Sequence, residues 1–220
     1  MGRKWWWVAG GVVAAVLVVG GQTVSARTEE PAYELLRRIG EVEIRRYAPQ
    51  IRATTVVDGP LAEATNEGFR RLAGYIFGNN TRQAKIAMTT PVATGPTESA
   101  PAKASEKIAM TTPVGAVTVD GRSTITFVMP AGYTMATLPI PGDSRVVLEE
   151  VGMRTVAVLR FSWTAGEREF AQRRQEVLDI LAAAGVKPTG EATLARYDPP
   201  WTLPFLRRNE VLVPVADEGR

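Results

Sequence analysis

The chain of 220 residues contains no cysteine and no histidine. Without cysteine there is no disulfide, no thiolate ligand, no thiol nucleophile and no lipid attachment through sulfur. Without histidine there is no imidazole base for a nucleophilic triad, no usual zinc site and no imidazole ligand for iron. Catalysis would have to rest on Asp, Glu, Lys, Tyr or Ser, and no constellation of these stands out. A non-enzyme is expected. An excess of one charge is missing too. The chain has 26 basic and 23 acidic residues, and taking away Arg3 and Lys4 at the N-terminus leaves 24 against 23. No basic stripe with interleaved aromatics occurs, so no nucleic-acid partner is expected. Phosphate-binding glycine loops, EF-hands, nucleophile elbows and carboxylate metal clusters are absent. Asp143, Glu149 and Glu150 come nearest to an acidic group and read as a solvated strand edge.

What is present is ordinary globular composition, 45% hydrophobic and 22% charged, enough for one domain with a sizeable core. Residues 1–26 read as an export signal. Arg3 and Lys4 precede an uncharged apolar run, Trp5 to Val19, and Val24-Ser25-Ala26 resembles a small-residue cleavage site. Extended to Val24, the run becomes borderline for a membrane span, and Trp5, Trp6 and Trp7 suit an interface. Residues 5–24 therefore leave membrane association through an uncleaved anchor open. Either way the globular part is expected outside the cytoplasm, in the periplasm or tied to the inner membrane.

One octapeptide occurs twice, Lys85-Ile-Ala-Met-Thr-Thr-Pro-Val92 and Lys107-Ile-Ala-Met-Thr-Thr-Pro-Val114. Read as a strand, each copy alternates Ile, Met, Thr and Val on one face, and its proline should end the strand or lie at a sheet edge. Met88 and Met110 are candidates for a pocket wall, since thioethers adapt to flat apolar ligands. The spacer 93–106 is small, polar and proline-containing, a flexible loop by composition.

Around this repeat the chain reads as two similar halves. Tyr33 to Leu35 and Val42 to Tyr47 alternate across Gly40, and Gln50 to Val57 makes a further strand. Asp58-Gly-Pro60 starts a helix with an apolar stripe of Leu61, Thr65, Gly68/Phe69, Leu72 and Ile76. Asp120-Gly121 is the strongest hairpin signal, with Ile125, Phe127 and Met129 facing inward. Arg145 to Gly152 then echoes Tyr33 to Gly40, and Thr155 to Phe161 follows as a strand. A second helix begins at a capping box, Thr164-Ala-Gly-Glu167, with Phe170, Val177, Leu178 and Leu181 as its stripe. Thr193 to Tyr197 and Asn209 to Val215 close the chain as strands. Two antiparallel half-sheets with one helix each make an α+β domain, and a cleft between pseudo-symmetric halves is a natural ligand site.

The octapeptide, Phe127-Val-Met-Pro130, Leu138-Pro139 with Pro141, Tyr197-Asp-Pro-Pro200 and Arg207-Arg-Asn-Glu-Val211 resemble, in order and spacing, the SOUL haem-binding family. The resemblance covers residues 30–216. It implies a distorted antiparallel β-barrel or twin sheets with two flanking helices and an internal pseudo-twofold repeat, a fold similar to gyrase-inhibitor-like effector-binding domains. It also implies a haem or porphyrin partner, bound non-covalently. Some members ligate iron through histidine, which this chain lacks; others pack the macrocycle on an apolar surface near the first helix. That mode, or a Tyr, Met or Lys ligand, is the one open here. The candidates are Phe69, Ala73 and Ile76, with Arg70 or Arg71 for the propionates and Met88 and Met110 on the opposite wall. A general small-molecule domain of the gyrase-inhibitor-like type, and an envelope interaction module without ligand, are the alternatives. Tyr197-Asp-Pro-Pro200 and Arg207 to Val211 read as structural.

Overall fold

The computed structural model describes residues 28–82 and 104–217. The first octapeptide, Met88, most of the spacer and the proposed export segment lie outside the described residues.

Five strands and a helix make the first half: β1 (Tyr33–Ile39), β2 (Val42–Tyr47), β3 (Gln50–Asp58), α1 (Leu61–Ile76), then, after the two-residue β4 (Asn80–Thr81), β5 (Val114–Val119) and β6 (Arg122–Val128). The second half follows the short β7 (Ile140–Pro141): β8 (Val147–Val151), β9 (Arg154–Phe161), α2 (Glu167–Ala183), β10 (Thr193–Arg196) and β11 (Asn209–Pro214). Nine strands form one curled antiparallel half-barrel in the order β1-β2-β9-β11-β10-β5-β6-β3-β8, and β4 pairs with β7 as a small second sheet.

The register shows the repeat. Tyr47 of β2 faces Arg154 of β9, and Gln50 of β3 faces Val151 of β8. Adding 104 to Tyr47 and Gln50 gives Val151 and Arg154, so the two ladders are the same ladder built twice. The first strand of each half is exchanged: β2 joins the sheet of the second half and β8 that of the first. This corrects the expected echo of Tyr33–Gly40 in Arg145–Gly152. The counterpart of β8 in the repeat is β2, and β1 is an added edge strand. The echo was one of hydrophobic alternation, which any strand shares, whereas pairing fixes identity.

Both helices cover one face. Ala116 packs under α1, Leu194 packs under α2, and the two are cross-strand partners. Helix α1 buries Leu61, Leu72, Tyr75 and Ile76 against Ala53, Ile125 and Phe127. Gly68 is the point of closest approach, where a Cβ would come 2.3 Å from Ile125 Cγ1. Helix α2 buries Val177 and Leu181 against Ala157, Leu159, Val211 and Val213. Its expected capping box does not form. Gly166 is the N-cap without a side-chain bond, and Glu167 Oε1 instead accepts from the Leu61 N–H at 3.0 Å, tying the start of α2 to the start of α1. The hairpin at Asp120-Gly121 is as read, both residues taking positive φ (49° and 74°).

The second octapeptide is not a strand that ends at its proline. Lys107 to Met110 are irregular, Thr111 makes an isolated bridge to Glu29, and β5 begins only after Pro113. Ile108 is buried, but Met110 two residues on is 37% exposed, against the expected shared face.

Candidate ligand-binding surfaces

Three surfaces can be built from the residues upward. The first is the open flank of α1. Residues four apart on a helix stack one turn above another, and Phe69, Ala73 and Phe77 form such a row beside the buried stripe. Phe69 is 39% and Phe77 58% exposed. Phe69 rests edge-on against Phe127, ring centroids 5.4 Å apart, which fixes its orientation. Arg70 is exposed on the same side and pairs with Glu67, a surface contact of small energy. Ile76 does not join this row. It is buried in the core, because the helix turns it toward the sheet. The Ile108 N–H donates to Ile76 O at 2.8 Å, holding the second octapeptide against the end of α1. Met110 therefore follows closely on this anchor, while Met88 lies outside the described residues.

The second surface is a cleft of about 730 Å³ where the connections β2–β3 and β8–β9 meet the end of β6. Its wall is largely apolar, with Ile51, Val128, Met129, Tyr133 and Val151, and Gln50 contributes an amide. Glu29, Glu30 and Glu150 stand around it. Tyr133 Oη donates to Glu106 Oε1 at 2.8 Å, and that bond, with burial and the Glu106 charge, raises the phenol above its ordinary pKa.

The third surface is the helix-free face of the second half, where the sequence reading had expected only structural turns. Glu210 is fully buried. Its Oε2 accepts from Arg45 Nη1 at 3.1 Å and Tyr197 Oη at 2.7 Å, and its Oε1 from Arg208 Nε and Nη2 at 3.1 and 2.9 Å. Burial works against the charge of Arg45, but the Glu210 carboxylate and the Tyr47 and Glu43 bonds outweigh it and hold the guanidinium firmly protonated. Burial and the same carboxylate push the Tyr197 phenol well up. Arg208 also grips Glu30 and lies over the Tyr197 ring at 3.7 Å. Every oxygen of Glu210 is thus committed. Glu210 itself therefore offers no free oxygen to a cation. The run Arg207 to Val211, read from the sequence as structural, supplies the Arg208–Glu210 pair, but no sequence signal joins Glu210 to Arg45, 165 residues away. Among the described residues no group of three or more carboxylates is placed to hold a metal ion.

A two-helix α+β half-barrel with a cleft at its pseudo-twofold seam belongs to the class of small-molecule-binding domains. Residues 28–214 match the SOUL heme-binding protein family, and the chain belongs to it. It is 27% identical over 161 residues to Heme-binding protein 1 of Xenopus laevis, covering 72% of this chain and 75% of that one. It is 29% identical over 175 residues to Heme-binding protein 2 of Mus musculus, covering 78% and 77%. The EcmrR C-terminal domain shares the fold, with a TM-score of 0.54 at 8% identity over 84% of this chain and 98% of that one.

Proposed function

We propose that the protein binds haem or a related tetrapyrrole non-covalently on the open flank of α1, outside the cytoplasm, and is not an enzyme. The observation that carries this is the row of Phe69, Ala73 and Phe77, one turn apart, with Phe69 and Phe77 exposed and Phe69 braced by Phe127. A flat macrocycle buries its face on such a strip at about 25 cal/mol per Å² of apolar surface. Arg70 is free to exchange its exposed pair with Glu67 for a propionate. Haem, when bound, supplies an iron centre. With no histidine in the chain, that iron falls to water or to a Tyr, Met or Lys side chain. Export rests on the basic start, apolar run and Val24-Ser25-Ala26 of residues 1–26. Among the described residues no helix is long and apolar enough to cross a membrane.

Titration of the purified full chain with hemin tests the reading. A saturable Soret shift is expected, weakened about tenfold by Phe69→Ser, since about 1.4 kcal/mol of lost burial is a factor of ten. No saturable shift overturns it. A second reading, a domain for assorted small molecules, draws on the cleft of about 730 Å³, whose size suits a drug-sized ligand. Metal-free protoporphyrin binding as tightly as hemin would show that iron is not the feature recognised.

A further inference from the structure

On the helix-free face, at the seam between the two halves, two arginines meet and, among the described residues, neither forms an ion pair. Arg52 of β3 and Arg154 of β9 are both half-buried. With the Gln50 amide oxygen turned toward them, that oxygen accepts from Arg52 Nε and Nη2 at 3.1 and 2.8 Å and from Arg154 Nη2 at 3.2 Å. Arg154 Nε is buried with no hydrogen-bond partner. Among the described residues, the titratable groups acting on the pair are Glu149, opposite Arg52 on β8, and the neutral phenols of Tyr47 and Tyr197 near Arg154, with Glu29, Glu30 and Glu150 around the adjoining cleft. Glu149 acts on Arg52 through space only, with no ion pair formed. Arg154 stands over the Tyr47 ring at 5.4 Å, a weak cation–π contact that supplies no negative charge. Burial lowers both guanidiniums, and the charge of Arg52 adds to the lowering of Arg154, to about 10.

The fold does not require this pairing of like charges. Position 154 corresponds to Gln50 in the other half, and Arg52 to Val156, with the same cross-strand register in both. A ladder that accepts Gln and Val there has no structural need for two guanidiniums. The pair also adjoins the cleft. Gln50, two residues before Arg52 on β3, and Val128, opposite Arg52 on β6, both line that cleft, as does Gly152, two residues before Arg154. Two fixed forks of N–H donors are the arrangement that holds an oxyanion in bidentate fashion.

We propose that Arg52 and Arg154 form a binding site for a carboxylate or phosphate headgroup, with the ligand's apolar body lying in the adjoining cleft. The site is separate from the flank of α1 and does not rest on haem binding. A headgroup there neutralises the repulsion between the arginines and engages the orphaned Arg154 Nε. The apolar body meets Val128, Met129 and Val151.

Calorimetric titration of the full chain with sodium decanoate, decyl phosphate and decyltrimethylammonium tests it. Saturable binding of at least one anion is expected, with the tighter of the two identifying the headgroup, and no binding of the cation. Arg52→Gln and Arg154→Gln should each weaken the anion at least tenfold, leave the melting temperature of the free protein unchanged or higher, and leave the hemin titration unchanged. Arg154→Lys should recover part of the affinity. Equal binding of the cation, no binding of either anion, or unchanged affinity in both glutamine variants overturns the site. A lowered melting temperature in both variants also overturns it, by assigning the pair to the fold. Loss of the hemin signal in Phe69→Ser with decanoate binding intact separates the two sites.

Discussion

Arg45 Nη1 lies 3.1 Å from Glu210 Oε2, and the side chains are respectively 5% and 0% exposed although 165 residues separate them in the chain. They join the exchanged strand β2 to the last strand β11 across β9. The pair is therefore a clasp between the first half and the second. Removing one member of such a pair strands a buried charge and costs about 3–5 kcal/mol. Arg45→Met and Glu210→Gln should each lower the free energy of unfolding by that order in a denaturant titration. The double variant should cost clearly less than the sum of the two, because both remove the same interaction. Additive losses would show that the residues are not coupled.

Gly68 faces Ile125 so closely that an added Cβ would stand 2.3 Å from Cγ1. In an exposed helix interior, alanine in place of glycine gains about 1 kcal/mol of helix propensity. Here the overlap forces α1 off the sheet and reverses the sign, at about 1–3 kcal/mol of net loss. Gly68→Ala should lower the melting temperature, and the added change Ile125→Val should recover part of it. A stabilised Gly68→Ala would mean that α1 sits further from β6 than described.

Asp143 is the clearest acid-sensitive group. Arg145 donates to it from its side chain and its backbone N–H, and this holds the carboxyl down to about 2. A depressed native value means that the bond contributes fully above the unfolded pKa of about 3.9 and is lost as pH falls through about 2. Arg145 is exposed, so the effect is small. Asp143→Asn should melt lower than the parent at pH 7, and the gap should close between about pH 4 and pH 2. A gap that persists at pH 2 would exclude the ion pair as its source.

Local chemistry made part of this fold legible in the sequence. Asp120-Gly121 specifies its own hairpin, and the 3.6-residue spacing of Leu61, Leu72 and Ile76 orients α1 without outside help. The exchange of β2 and β8 was not legible. Equivalent positions carry different residues (Arg45 and Glu149, Arg52 and Val156), and only the pairing register relates them. Glu210 sits in a run, Arg207-Arg-Asn-Glu, that reads as structural, yet its full burial was not legible because it depends on Arg45 far upstream. The same limit applies to the candidate site. Phe69 and Ile76 are seven residues apart and nearly share a face, so spacing alone could not say that one is half-exposed and the other wholly buried. The Arg52–Arg154 pair escaped notice because the seam that joins it is a tertiary feature.

That division between Phe69 and Ile76 gives the last prediction. If the flank of α1 is where a macrocycle lies, affinity and stability should separate along the helix. Ile76→Ala removes a core side chain and should cost about 2–5 kcal/mol of stability, while hemin affinity measured under folding conditions stays within twofold. Phe77→Ser removes an exposed ring 58% accessible to solvent. It should change stability by no more than about 0.5 kcal/mol, yet weaken hemin about tenfold. Denaturant melts and Soret titrations of the two variants check this together. The opposite pattern, with hemin affinity following Ile76 and indifferent to Phe77, would move the macrocycle off this flank, because a ligand resting on α1 from solvent must feel the ring that solvent feels.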